Sequence, residues 1–316
     1  MRVKKLTIHP LSGARGIEVE SAKMYPSGLR NEQIKVRLLI DRQFVCFDPV
    51  TGKRVSSKPD EVPLLARFEP DIVEGLLYLA FYDELSPQHN PISELYVKRA
   101  DDGDNFKLAT TIDEFGDNTP VYDLGDEVSG FMSDLLCKEV RLGQKTPEWL
   151  NASSDDVARR KVAGLHVATL QSLMNVGGVI CEDGRASAIE IDEMYAQIRA
   201  GMLIDLGDIP GVEWPKWPEA KWAPGSRLSF GHRRGELEVT GPCVRCPVPG
   251  RDALTGNKAE LVMPKAYQSM PKIEYRKRDG TVQMKSTLGA YVFGAGPAFT
   301  IEVGDPVHLI DEEYAR

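Results

Sequence analysis

Cysteine is scarce in this chain: five in 316 residues, at positions 46, 137, 181, 243 and 246. So sparse and odd a set makes no disulfide framework, and the expected compartment is the reducing cytoplasm. Histidine is as rare, with five residues and no HExxH or other close metal spacing. No Walker loop, no GxGxxG after a strand and no GxSxG occurs, which removes the common phosphate, dinucleotide and hydrolase signatures. Long apolar runs are missing too. No segment suffices to span a bilayer, so no transmembrane segment is expected. The opening MRVKKLTIHPLSG has basic residues with no apolar stretch behind them, unlike a secretory signal. Positive charge is in deficit: 39 basic against 47 acidic side chains, net −8. That argues against nucleic acid or an anionic membrane as partner.

What is present is an ordinary globular composition, 42% apolar and 27% charged, in a length that suits one large domain or two of usual size. The first half reads mostly as strands. VKKLTIHPL, QFVCFDP and GLLYLAFYD are short, β-prone and bounded by turn signals, and DPVTGKRV reads as a hairpin turning at Asp48, Pro49 and Gly52. In the centre, Val128, Phe131, Met132, Leu135 and Leu136 recur at helical spacing, with Asp126 as expected N-cap. EWLNASSDDVARRK reads as a connection. GLHVATLQSLMNVGG reads as a helix stopped by its glycines. From 202 to 311 strands return. The segment EWPKWPEAKWAPG sets three tryptophans among three prolines and reads as an ordered surface loop.

Chemistry concentrates in TGPCVRCPVPGRDALTG, residues 240–256. Cys243 and Cys246 flank Arg245 in a loop rich in Gly and Pro. A zinc site needs a second ligand pair, which Cys181 and His232 do not form. A thioredoxin-like pair sits at a helix N-terminus, which Pro247 and Pro249 disfavour here. What remains is one functional cysteine, Cys243, with Cys246 supporting it, or a thiol that is simply core. Arg15, Arg42, Arg199 and Arg245 each stand near a strand end or Gly-containing turn, where a guanidinium can grip phosphate in bidentate fashion. His166 is placed as a cap or polar ligand contact; His9 and His308 read as plain strand residues.

PCVRC followed by DALTG, and the ending LGAYVFGAGPAFTIEVGDPVHLI, resemble the signature of the MOSC superfamily. HPLSGARGIEV is similar to the opening of the β-barrel domain that precedes MOSC in larger members, and DRQFVCFDPVTGKRVSSKP to its Asp-Arg strand and hairpin. The resemblance covers nearly the whole chain. By architecture it is nearest the mitochondrial amidoxime-reducing components and similar bacterial proteins. It implies a mixed, β-rich α+β fold: an N-terminal β-barrel domain over 1–120, a connecting helix and linker over 121–150, and a MOSC β-barrel domain with peripheral helices over 151–316.

The resemblance also implies a molybdenum cofactor, a molybdopterin. Cys243 is then the thiolate ligand of the metal and the catalytic cysteine, and Ser12, Arg15, Arg42, His166, Thr169, Arg199, Arg245 and Tyr291 are the cofactor-binding set. Thiolate is a suitable donor for such a soft-ligated metal. The family's Lys-Ser after the first strand is Ser12-Gly13 here, with Arg15 as replacement for the lost cation. Its RFRPN motif is Gln197-Ile198-Arg199-Ala200-Gly201. The implied activity is reduction of N-hydroxylated or N-oxide small molecules. Electrons would come from a separate haem, flavin or iron-sulfur protein, since the chain has no ferredoxin-like cysteine cluster. The alternatives are a sulfur carrier using a Cys243 persulfide, and a non-catalytic cofactor-binding module.

Overall fold

The computed structural model describes residues 1–31, 39–58, 61–82, 91–100, 108–114, 116–158, 164–182, 191–207, 215–231, 235–244, 270–276 and 281–310. Its first strands are β1 (Arg2–Ile8), β2 (Ile17–Val19), β3 (Ser21–Tyr25), β4 (Gly28–Asn31), β5 (Leu39–Ile40) and β6 (Phe44–Phe47). β7 (Phe68–Val73), β8 (Leu76–Phe81), β9 (Ser93–Val97), β10 (Leu108–Glu114) and β11 (Asp117–Asp123) lead to helix α1 (Asp126–Leu136). After β12 (Arg141–Lys145) come the short helices α2 (Pro147–Leu150) and α3 (Ser154–Ala158). Then follow β13 (Leu165–Thr169), α4 (Leu170–Glu182), α5 (Ile191–Ile198) and β14 (Met202–Asp205). The chain ends with β15 (Arg227–Phe230), β16 (Glu236–Val244), β17 (Lys272–Arg276), β18 (Val282–Ala295), β19 (Phe299–Glu302) and β20 (Val307–Ile310). The β-rich α+β class expected from the sequence is the one observed.

The largest sheet runs β2-β1-β14-β13-β18-β16-β15-β20, with β17 on β18. β13 and β14 are its parallel pair, joined through α4 and α5, as a parallel crossover requires. The other sheets are β10-β11-β12-β6, β19-β3-β4-β5 and β7-β8-β9. The two ends of the chain interlock. β1 pairs with β14, Leu6 opposite Met202, while β19 pairs with β3, Ile301 opposite Ala22. One apolar core therefore runs from Val3 and Leu6 through Phe44, Phe68 and Leu79 to Val292 and Val307. A second cluster, with Leu173, Val176, Met194, Ile198 and Leu203, lies under α4 and α5.

Strand pairing does not follow the expected bounds. β11 passes through residue 120, and β12, inside the expected linker, lies between β11 and β6. Gly143 explains the close fit: a Cβ there would stand 3.0 Å from Val121 Cβ and 3.3 Å from Phe47 Cε1. Other corrections are local. Asp126 is the first residue of α1 rather than its cap; Gly125, at φ +100°, holds the cap position and Asp126 pairs with Arg141 at 2.9 Å. GLHVAT is strand, not helix, and α4 begins after it and runs through Gly177 and Gly178. The five residues Leu165–Thr169 are all buried, so an apolar run bounded by glycine was a core strand.

Candidate functional site

The site grows from three adjacent strands. On β18, Tyr291 lies opposite His166 of β13 on one side and Gly241 of β16 on the other. The pairing of β16 with β18 slips between Pro242 and Val244, where the single residue Cys243 faces two residues of β18, Leu288 and Gly289. Bulges re-aim side chains, often at active sites. Cys243 is 3% exposed. The His166 and Tyr291 ring centroids are 6.0 Å apart. His166 Nε2 lies 3.1 Å from the Leu288 carbonyl, a distance that assigns the ring hydrogen to Nε2. Gly289 makes this possible. Its φ is +80°, and a Cβ there would come within 2.3 Å of His166 Nε2 and 2.4 Å of the Val167 carbonyl. The glycine of the Gly-x-Tyr motif is thus fixed by the neighbouring histidine.

Two arginines approach from other elements, and both are held in the left-handed region, Arg42 at φ +54° and Arg199 at φ +52°. Such backbone costs about 1 kcal/mol or more and collects at functional sites. Arg42 follows β5. Its N–H donates to the His9 carbonyl at 2.7 Å, and its guanidinium makes a loose ion pair with Asp41 at 3.6 Å. Burial works against the Arg42 charge. Asp41 foremost, then Tyr291, Glu114 and Cys243, more than offset that and raise its pKa. Arg42 therefore shares an electrostatic neighbourhood with Cys243 and Tyr291. Arg199 ends α5 and donates from Nη1 to Ser57 Oγ at 3.1 Å.

Behind Arg42 lies a buried ionic group that sequence reading did not find. Lys145 Nζ is 2.6 Å from Glu114, whose other oxygen is 3.7 Å from Arg54 Nε. Burial would raise the Glu114 pKa, but Lys145 and Arg54 hold it below the usual carboxylate range. Burial lowers the Lys145 pKa despite Glu114. A polar cavity of about 40 Å³, room for a water or two, adjoins Asp41, Arg42, Glu114, Lys145 and Trp149. His9, read from the sequence as a plain strand residue, is electrostatically tied to this group. Burial, then Arg199 and Arg42, push its pKa down to about 3, so its ring is neutral at pH 7. Such residues come together only through pairing between distant strands; no local spacing marks them.

The remaining expected site residues have definite places. Ser12 is buried at 5% exposure, its N–H donating to the Phe44 carbonyl at 2.9 Å. Arg15 turns toward the β7-β8-β9 sheet, 3.5 Å from Glu69 and 4.6 Å from the Tyr82 ring centre. Thr169 is fully buried and caps α4, its hydroxyl accepting from Ser172 N–H at 3.3 Å. Its own N–H donates to Glu219 at 2.5 Å, and the other Glu219 oxygen accepts from Ser172 Oγ. The Trp-rich segment is therefore not only surface: its helical turn Pro218–Lys221 sends Glu219 inside at 2% exposure, and Trp222 is buried. Burial raises the Glu219 pKa. The nearby Pro and Trp residues gave no sign of this, but a lone Glu in an apolar, proline-framed turn was the available signal. Arg245 and Cys246 lie outside the described residues.

Among the described residues no group of three or more His, Cys, Asp or Glu could hold a metal ion. One buried thiol, Cys243, sharing an electrostatic neighbourhood with the Arg42 guanidinium, suits a metal carried on an anionic organic ligand. Among the described residues no helix is long and apolar enough to cross a membrane.

Among curated proteins, none matches the chain significantly. Residues 1–139 match the family model described as the MOSC N-terminal beta barrel domain. That match takes in Ser12, Arg15 and Arg42, and the strands that bring Arg42 to the Cys243–Tyr291 neighbourhood. Over residues 1–139 the chain thus carries the MOSC N-terminal β-barrel domain.

Proposed function

We propose that this protein binds a molybdenum cofactor and is an oxidoreductase that reduces N-hydroxylated or N-oxide compounds, with electrons from a separate redox protein. The observation that carries the reading is the meeting of one buried thiol at a β-bulge, Cys243, with Tyr291 and the strained Arg42. MOSC proteins are associated with this cofactor, and the donor set fits it. Cys243 would be the protein ligand to the metal. Arg42 and Arg199 would grip the phosphate of the pterin, and Tyr291 and His166 would wall the pocket. When bound, the cofactor would supply the two-electron chemistry at the N–O bond. The chain's own contribution is orientation, exclusion of water and proton delivery. His166 carries its ring hydrogen on Nε2, committed to the Leu288 carbonyl at 3.1 Å, so Tyr291 is the better-placed donor toward a leaving nitrogen.

Burial of Cys243 at 3% exposure speaks against the sulfur-carrier alternative, which needs an exposed thiolate. The decisive test is metal analysis of protein made in a host that synthesises the cofactor. Stoichiometric molybdenum, lost in Cys243→Ala, is the expected result; molybdenum absent from wild type, with a persulfide on Cys243, overturns the reading. Turnover of benzamidoxime with an artificial donor tests the reaction. A metal-loaded protein without turnover removes the reductase assignment.

A further inference from the structure

The three-stranded sheet β7-β8-β9 has two outer edges, and the chain treats them differently. Its inner face, with Phe68, Leu77, Leu79 and Val97, joins the main core. Just beyond the β7–β8 pairing the Tyr82 N–H donates to the Arg67 carbonyl, so the odd residues of β7 bond β8 and the even ones point outward. That outward edge is blunted. The Phe68 carbonyl accepts from Arg15 N–H at 3.0 Å, Pro70 has no N–H, and Ile72 N–H donates to Asp71 Oδ1 at 2.7 Å. A proline and local caps are how an edge strand is kept from pairing.

The other edge, β9, is left open. By the same alternation Ser93, Leu95 and Val97 bond β8, and the backbone groups of Glu94, Tyr96 and Lys98 point away from it. Among the described residues no strand pairs there, and the backbone of Glu94 and Tyr96 meets no partner on that side. The open stretch stops at Ala100, whose N–H and carbonyl bond the Gln144 side chain at 3.0 and 2.7 Å. Tyr96 is 53% exposed, and Glu94 and Lys98 are exposed beside it. The Tyr96 ring packs on Tyr78, centroids 4.9 Å apart, and the Tyr78 hydroxyl bonds Glu94. This edge has no proline, and its core-facing residues Ser93, Leu95 and Val97 carry no charge. The charges it does carry are opposite in sign, four residues apart, with a tyrosine midway.

That order answers itself. We propose that β9 is the interface of a homodimer, pairing antiparallel about a twofold axis with β9 of a second copy, Tyr96 opposite Tyr96. A twofold contact sets the same patch against itself, so each pair occurs twice. Centred on Tyr96, Glu94 faces Lys98 of the second copy and Leu95 faces its Val97. Opposite charges directly across a ladder stabilise it, and like charges destabilise it. Centring on Glu94 or Lys98 instead sets like charges together, and centring on Leu95 leaves Lys98 against Ile92. Centring on Val97 needs the Ala100 backbone, which Gln144 already holds. The outward N–H and C=O groups of residues 94, 96 and 98 then bond across the interface, and two sheets of three strands become one of six. Leu95, only half-buried within one chain, is covered. Exposed ion pairs within a chain are worth little, so Lys98 can exchange an internal partner for Glu94 of the second copy. None of this depends on the cofactor or the reaction.

Sedimentation velocity of the full chain over a range of protein concentrations reads the assembly. Wild type is expected as a reversible dimer. Glu94→Lys and Lys98→Glu each set like charges opposite one another at both ends of the pairing. Each is expected to weaken the dimer roughly tenfold or more, leaving monomer where wild type pairs. The two variants together give the sharper test. In an equimolar mixture every charge at 94 and 98 again faces its opposite, and a heterodimer is expected to form. Variants that had merely lost their fold could not recover in this way. A wild type that is monomeric at every concentration, a dimer untouched by either reversal, or single variants that stay monomeric when mixed each overturns the proposal.

Discussion

Gly289→Ala tests the central joint of the site, and Gly75→Ala is its natural control. The two glycines share a backbone conformation, φ +80° and +83°, but differ in surroundings. Nothing lies within 4 Å of a Cβ on Gly75, whereas on Gly289 it would meet His166 Nε2 at 2.3 Å and the Val167 carbonyl at 2.4 Å. The control therefore pays only the left-handed cost, about 1 kcal/mol. At Gly289 the carbonyl cannot retreat, because Val167 is paired with Ala290 in the sheet. Overpacking adds roughly 1–3 kcal/mol, for a total of about 2–4 kcal/mol. That is a large part of the roughly 5–15 kcal/mol that holds an ordinary protein together. Urea unfolding followed by tryptophan fluorescence measures both variants. Gly289→Ala should also shift His166 and weaken metal retention, while Gly75→Ala should leave it intact. Equal destabilisation of the two variants would refute the claim that His166 dictates the glycine.

Glu219→Ala should cost about 1–3 kcal/mol, because it strands the buried Thr169 N–H, whereas Glu219→Gln should cost less, since an amide oxygen can still accept it. Thermal melts of the pair check this; equal losses would mean that an amide oxygen cannot replace the carboxylate and would refute the single-acceptor account. For His9 the folded pKa of about 3 lies below the unfolded value near 6.5, so between them the unfolded chain binds more protons. Stability should therefore fall as pH drops through that window, by at most about 1.4 kcal/mol per unit, and His9→Gln should flatten the slope of a urea-midpoint series. A thiol reagent should modify Cys137 well before Cys46, because Cys137 is exposed while burial pushes the Cys46 thiol up to about 12. Peptide mapping after brief labelling reads the order, and early Cys46 labelling would contradict its place in the core.

The strands of VKKLTIHPL, QFVCFDP and GLLYLAFYD were legible because each carries its own apolar pattern and turn signals. LHVAT misled, because a fully buried strand has no alternation to show and runs straight into a real helix. Cys243, Arg42, Arg199 and Tyr291 were legible one by one as residue types that chemistry uses. Their company was not. Asp41, Glu114, Lys145 and His9 enter the site from separate elements, and Glu219 from a segment that read as a loop.

Sequence alone determined the β-rich class, the lack of a disulfide framework and of long apolar runs, and the choice of Cys243 as the thiol of interest. These follow from composition and local pattern, which each stretch of chain carries by itself. Only the tertiary structure decided that β1 joins β14, that Cys243 stands opposite a bulge near Tyr291, and that the His9 backbone is tied to Arg42. Those facts arise from pairings between residues up to two hundred positions apart. Strand register, not spacing along the chain, chooses such neighbours.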